Sequence, residues 1–93
     1  MKTIKSSGNV FTDIGFEKEE AENLLIRAKL MAEISKYVKD RQLTQSAAAR
    51  YFGVSQPRIS DLQRGKIGLF TVDTLITMLS KAGMNVNVRI TKK

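Results

Sequence analysis

The chain has 93 residues, enough for one domain with a modest core. It contains no cysteine and no histidine, which excludes a disulfide framework, a thiolate metal site, an imidazole ligand and the commonest general base. The formal net charge of +7 serves solubility and equally suits a polyanionic partner.

The charge is unevenly placed. Acids and bases balance over residues 17–43, whereas Arg50, Arg58, Arg64 and Lys66 face only Asp61 over residues 44–70, and residues 71–93 add a further basic surplus. The start, Met1-Lys2-Thr3-Ile4-Lys5, lacks the apolar run of a signal peptide, and no window has the apolar length of a membrane span. A cytoplasmic location with no membrane contact is therefore expected.

Residues 1–16 begin polar, with Lys2 and Lys5, and end on Val10, Phe11, Ile14 and Phe16. A flexible arm or short irregular segment is expected. Phe16 stands where a hydrophobic staple would, while Val10 and Phe11 are candidates for a protein partner. A long helix is predicted over 17–41. Glu17, Glu19, Glu20 and Glu22 crowd its start and Lys36, Lys39 and Arg41 its end, as the helix dipole favours. Leu24, Arg27, Met31, Ile34 and Val38 mark one side, with a break near Glu22-Asn23 allowed.

The segment Gln45–Arg64, QSAAARYFGVSQPRISDLQR, predicts two short helices crossing steeply. Ala48, Ala49, Phe52, Val54, Ile59 and Leu62 supply the facing knobs, and Ala49 is small enough for close approach. Gly53 is suited to the turn, Thr44 and Ser55 to capping, and Pro57 to the first turn of the second helix. A loop over 65–69 leads to a helix of roughly 72–82, capped by Thr71 and stopped by Gly83. Residues 84–91 alternate apolar and polar, which predicts a half-buried strand. Its partner is the N-terminal arm, a second copy or another protein; Val86, Val88 and Ile90 would form its apolar face.

This pattern resembles the helix-turn-helix of the Cro-like, or XRE, repressors. The resemblance implies a lambda-repressor-like fold: an all-α bundle with a helix-turn-helix, to which the pattern adds a short C-terminal β-strand. The division is an arm (1–16), a DNA-binding domain (17–83, reader 45–64) and a strand with basic tail (84–93). It implies that the second helix of the reader enters the major groove of duplex DNA. Pro57, Ser60, Asp61 and Arg64 then face outward, with Gln56 and Arg58 on the flanks. Gln56 suits adenine, and Arg58 suits guanine or a phosphate. Asp61 lies three residues from both Arg58 and Arg64 and can orient them or accept from cytosine. By motif position Gln45 reaches a phosphate and braces Gln56. Ser55 and Lys66 are further phosphate candidates.

Beyond the motif, Asn9-Val10-Phe11, Ile14-Gly15-Phe16, Glu19–Leu24, Ser60-Asp61-Leu62, Arg64-Gly65-Lys66-Ile67 and Phe70–Leu75 resemble the short XRE antitoxins of host-inhibition-of-growth type. That likeness implies a homodimer on a palindromic operator that also neutralises an mRNA-cutting toxin. A stand-alone or phage-type regulator shares much of the pattern. Glu17-Lys18 departs from the Ser-Pro helix start common among such sequences. No cofactor is implied, and the scatter of Asp13, Glu33, Asp40 and Asp61 offers no two-metal cluster for an enzyme.

Overall fold

The computed structural model describes residues 9–92; the readings of residues 1–8 and of Lys93 lie outside it. Five α-helices follow in order: α1 (Val10–Asp13), α2 (Lys18–Asp40), α3 (Gln45–Phe52), α4 (Gln56–Gln63) and α5 (Val72–Lys81). A 3-10 turn, Ile67–Leu69, joins α4 to α5.

The helix-period stripe of α2 becomes one wall of the core. Met31, Ile34 and Val38 are buried against Ala48, Ala49 and Phe52 of α3, Ile59 and Leu62 of α4, and Leu75, Met78 and Leu79 of α5. Ala48 and Ala49 keep the facing side of α3 shallow, so the helices approach closely. α2 runs unbroken through Glu22 and Asn23. Its N-cap residue, Glu17, makes no side-chain capping hydrogen bond. Asn9, Thr44, Ser55 and Thr71 do cap α1, α3, α4 and α5 through side-chain oxygens.

Arg27 sits on the same side of α2 as the core residues but is not itself apolar. Its Nε donates to Asn23 Oδ1 at 2.7 Å, and its Nη1 donates to the carbonyls of Ile67 at 3.3 Å and Phe70 at 3.1 Å. One guanidinium thus holds the backbone on both sides of the 3-10 turn.

All five helices stop in the same way. A residue in the left-handed region follows each last turn: Gly15, Gln42, Gly53, Gly65 and Gly83. The next N–H then reaches back to a carbonyl five residues earlier: Phe16 to Phe11, Leu43 to Val38, Val54 to Ala49, Lys66 to Asp61 and Met84 to Leu79. This is the Schellman arrangement, which satisfies carbonyls the helix leaves open. In the first stop the two closing side chains also meet, with the Phe11 and Phe16 rings edge to face at 6.1 Å.

Two expectations need correction. The segment read as a flexible arm or irregular chain is helical over Val10–Asp13, because Asn9 Oδ1 accepts from the Phe11 N–H at 2.9 Å and starts a turn. The C-terminal β-strand is absent: residues 84–92 pair with no strand. A strand needs an edge, and residues 9–16 direct their backbone hydrogen bonds into α1 and its stop. The alternation survives only in part. Met84 and Val86 pack half-buried against the core, while Val88 and Ile90 are 76% and 88% exposed.

Gln42 is the one described non-glycine with positive φ, at 54°. Replacing it with glycine should raise stability by about 0.5–1 kcal/mol, the left-handed penalty relieved less the added chain entropy. Denaturant unfolding should show a higher midpoint with an unchanged slope; a lower midpoint would contradict this account of the turn.

Candidate nucleic-acid interface

The turn between α3 and α4 is built around Gly53, whose φ of 72° only glycine adopts without strain. A Cβ there would also lie 2.7 Å from Cδ of Lys81. Val54 closes the turn by donating to the Ala49 carbonyl at 2.9 Å. Ser55 then caps α4 by accepting from the Arg58 N–H at 3.4 Å, and Pro57 falls in the first turn. Ile59 and Leu62 anchor α4 in the core. The other side of α4 exposes Gln56, Pro57 and Arg64.

Gln45, Ser55, Gln56, Pro57, Arg64 and Lys66 are exposed around α4, whereas Arg58, Ser60 and Asp61 are half-buried. Gln45 is tethered to the far end of α4, its Nε2 donating to Gln63 Oε1 at 3.3 Å, rather than to Gln56. Asp61 lies 3.7 Å from Lys66 Nζ rather than beside either arginine. Both partners are partly exposed, so a competing phosphate can take Lys66 from Asp61. Arg58 places its guanidinium carbon over the Phe70 ring, 4.6 Å from the centroid.

Charge patterning does not point to Phe70, yet its spacing does. It precedes the cap Thr71, and Leu75 follows four residues after that cap; both are fully buried. This is the spacing of a hydrophobic staple.

A second cluster, unread from sequence, ties α2, α3 and α5 together. The Tyr37 and Tyr51 rings stack at 5.2 Å and their hydroxyls lie 2.6 Å apart. Tyr51 also donates to the Ala82 carbonyl at 3.1 Å, and Arg41 lies over the Tyr37 ring. The hydrogen bond with Tyr37, then desolvation, then the charge of an ionised Tyr37 raise the Tyr51 pKa above its ordinary 10.0; Arg41 opposes them. The available signal was the amphipathic tyrosine itself, whose polar tip needs a partner when its ring is packed.

Among the described residues, no three acidic side chains gather as a metal site, and no helix is long and apolar enough to cross a membrane. An open groove of about 370 Å³ runs between α1, α2 and the end of α4, lined by Phe11, Ala28, Met31, Leu62 and Ile67 among others. Val10 on α1 and Ile14 just past its end are 57% and 66% exposed.

A family model described as a helix-turn-helix domain matches residues 10–91. Among solved structures, a chain named for the XRE family of transcriptional regulators is similar, with a TM-score of 0.72 and 31% sequence identity. The match covers 80% of this chain and 83% of that one. No curated protein matches the sequence.

Tyr51→Phe should lower stability and blunt its alkaline dependence. A pKa raised on folding gives stability that is complete below the unfolded value of 10.0 and lost as pH rises through the folded one. Thermal unfolding of both proteins across that range should show the wild type falling more steeply. Parallel losses would remove Tyr51 from the effect.

Proposed function

This chain belongs to the helix-turn-helix domain family, is XRE-like and is a DNA-binding transcriptional regulator; on that premise, we propose that it is a homodimeric repressor reading a palindromic operator and the antitoxin of a toxin–antitoxin pair. One observation carries the DNA part of this reading. α4 buries Ile59 and Leu62 and leaves Gln56, Pro57 and Arg64 exposed, with Ser55 and Gln45 beside them. A helix so anchored presents its N-terminal end to the major groove. Gln56 reads a base through its amide, and Arg58 does so through its N–H groups. Ser60 and Asp61 complete the facing surface. Ser55, Gln45, Arg64 and Lys66 hold phosphates.

The single reader per small chain supports a dimer on DNA. Half-sites then lie about one helical turn apart, roughly 34 Å. The antitoxin part rests on the resemblance of segments between residues 9 and 75, and on the exposed Val10 and Ile14 beside the groove that Phe11 lines. Val88 and Ile90 are further apolar groups open to a partner, whereas Val86 packs on its own domain.

Gln56→Ala should weaken binding to selected operator DNA by about 1–3 kcal/mol and leave non-specific binding nearly unchanged. Lys66→Ala should weaken all duplexes alike and reduce the salt slope by about one. Equal behaviour of the two variants would remove base reading from Gln56.

Sedimentation with the palindromic duplex should show two chains per site; a single chain both free and bound would contradict the dimer. Co-expression with the product of the adjacent reading frame should rescue growth, and Val10→Glu with Ile14→Glu should reduce rescue while sparing DNA binding. Repression without any rescue would leave the stand-alone regulator as the function.

A further inference from the structure

We infer that Phe70, fixed in place by Arg27, is a positioning residue for Arg58, and so sets base preference from behind the DNA-facing surface. The inference rests on the proposed base-reading role of Arg58. Three observations combine. Arg58 holds its guanidinium carbon over the Phe70 ring, 4.6 Å from the centroid. Among the described residues, no acceptor is hydrogen-bonded to its N–H groups, and the nearest carboxylate in sequence, Asp61, pairs with Lys66. The ring itself cannot wander: Phe70 is fully buried, its N–H donates to the Ile67 carbonyl at 3.3 Å, and Arg27 grips the carbonyls of both residues.

A long, flexible side chain aimed at a base edge normally loses much rotamer freedom when it binds. Here the guanidinium lies over an aromatic ring before DNA arrives, and no described residue hydrogen-bonds its donors. Arginine is suited to this arrangement because it can stack by its face and hydrogen-bond by its edge at once. Arg27 reaches the same loop from α2. A substitution there reaches Arg58 through the loop that carries Phe70.

The test uses the full chain and duplexes that the wild type selects from a random-sequence library. Binding is measured to the selected duplex, to each of its single-base-pair variants and to unrelated DNA, over a range of salt. Arg58→Gln should flatten the preference at one base pair per half-site. Phe70→Leu, which keeps an apolar core residue, should reduce the preference at that same base pair roughly 3- to 10-fold, the size of a partly exposed cation–π contact. Its salt slope and its affinity for unrelated DNA should match the wild type. In the Arg58→Gln background, Phe70→Leu should have no further effect on preference.

Arg27→Gln serves as an independent variant should Phe70→Leu fail to fold, and it should weaken the same base pair. An unchanged preference in Arg58→Gln would sink the base-reading role itself. A lost preference in Arg58→Gln but not in Phe70→Leu or Arg27→Gln would overturn the positioning role alone. Equal weakening of selected and unrelated DNA by these two variants would also overturn it, since the residues would then be merely structural.

Discussion

The rest of the structure depends on one backbone constraint: each helix must end without stranding its last carbonyls, within the few residues that separate it from the next. The chain meets this constraint five times with a left-handed residue and an N–H that reaches back five positions. The residue after the left-handed one is Phe16, Leu43, Val54, Lys66 or Met84. Leu43, Val54 and Met84 go on to pack against the core. The stop therefore sets the direction of the next segment and supplies it with an anchor. The close crossing of α3 and α4 follows from this, since Gly53 places Val54 against the core and Ser55 at the start of α4.

The eight-residue α4 is too short to be stable alone. Its orientation comes from behind, through Ile59 and Leu62 in the core and through the loop that Arg27 holds. Gln45 and Gln63 link the beginning of α3 to the end of α4. α2 is thus more than a wall: it buries one apolar stripe and, one turn from Leu24 and Met31, provides the donor that fixes the 3-10 turn. The charged pair beside α4 carries little of this structural work. Asp61 and Lys66 make a partly exposed pair that adds little stability and is easily exchanged.

Much of this was legible in the residues. The spacing of Ala49, Gly53, Ile59 and Leu62 specified the crossing of α3 and α4, and Thr44, Ser55 and Thr71 marked the starts of three helices where they are found. These signals are local, so the chain states them directly. The strand over residues 84–91 was misread for the opposite reason. Alternation says which side chains share a face, but a strand exists only if an edge is available, and the edge is a property of the whole chain. The arm failed on capping: Asn9 before Val10 is a helix start that the glycine and serines preceding it obscured. For the site, exposure around α4 follows the helical spacing, but the partners of Arg58, Gln45 and Asp61 do not. Each is set by a residue outside the local window or by competition among nearby charges.

The tyrosine pair has a consequence of another kind. The chain has no tryptophan and two tyrosines in all, and both sit in the one stacked contact between α2 and α3. Its near-ultraviolet absorption and intrinsic emission therefore come chiefly from that junction, on the side where Ala82 closes α5. The molecule carries an optical gauge of its own helix junction, separate from the Arg58–Phe70 contact. Light emitted by the protein reports whether these three helices remain joined, and it needs no added label.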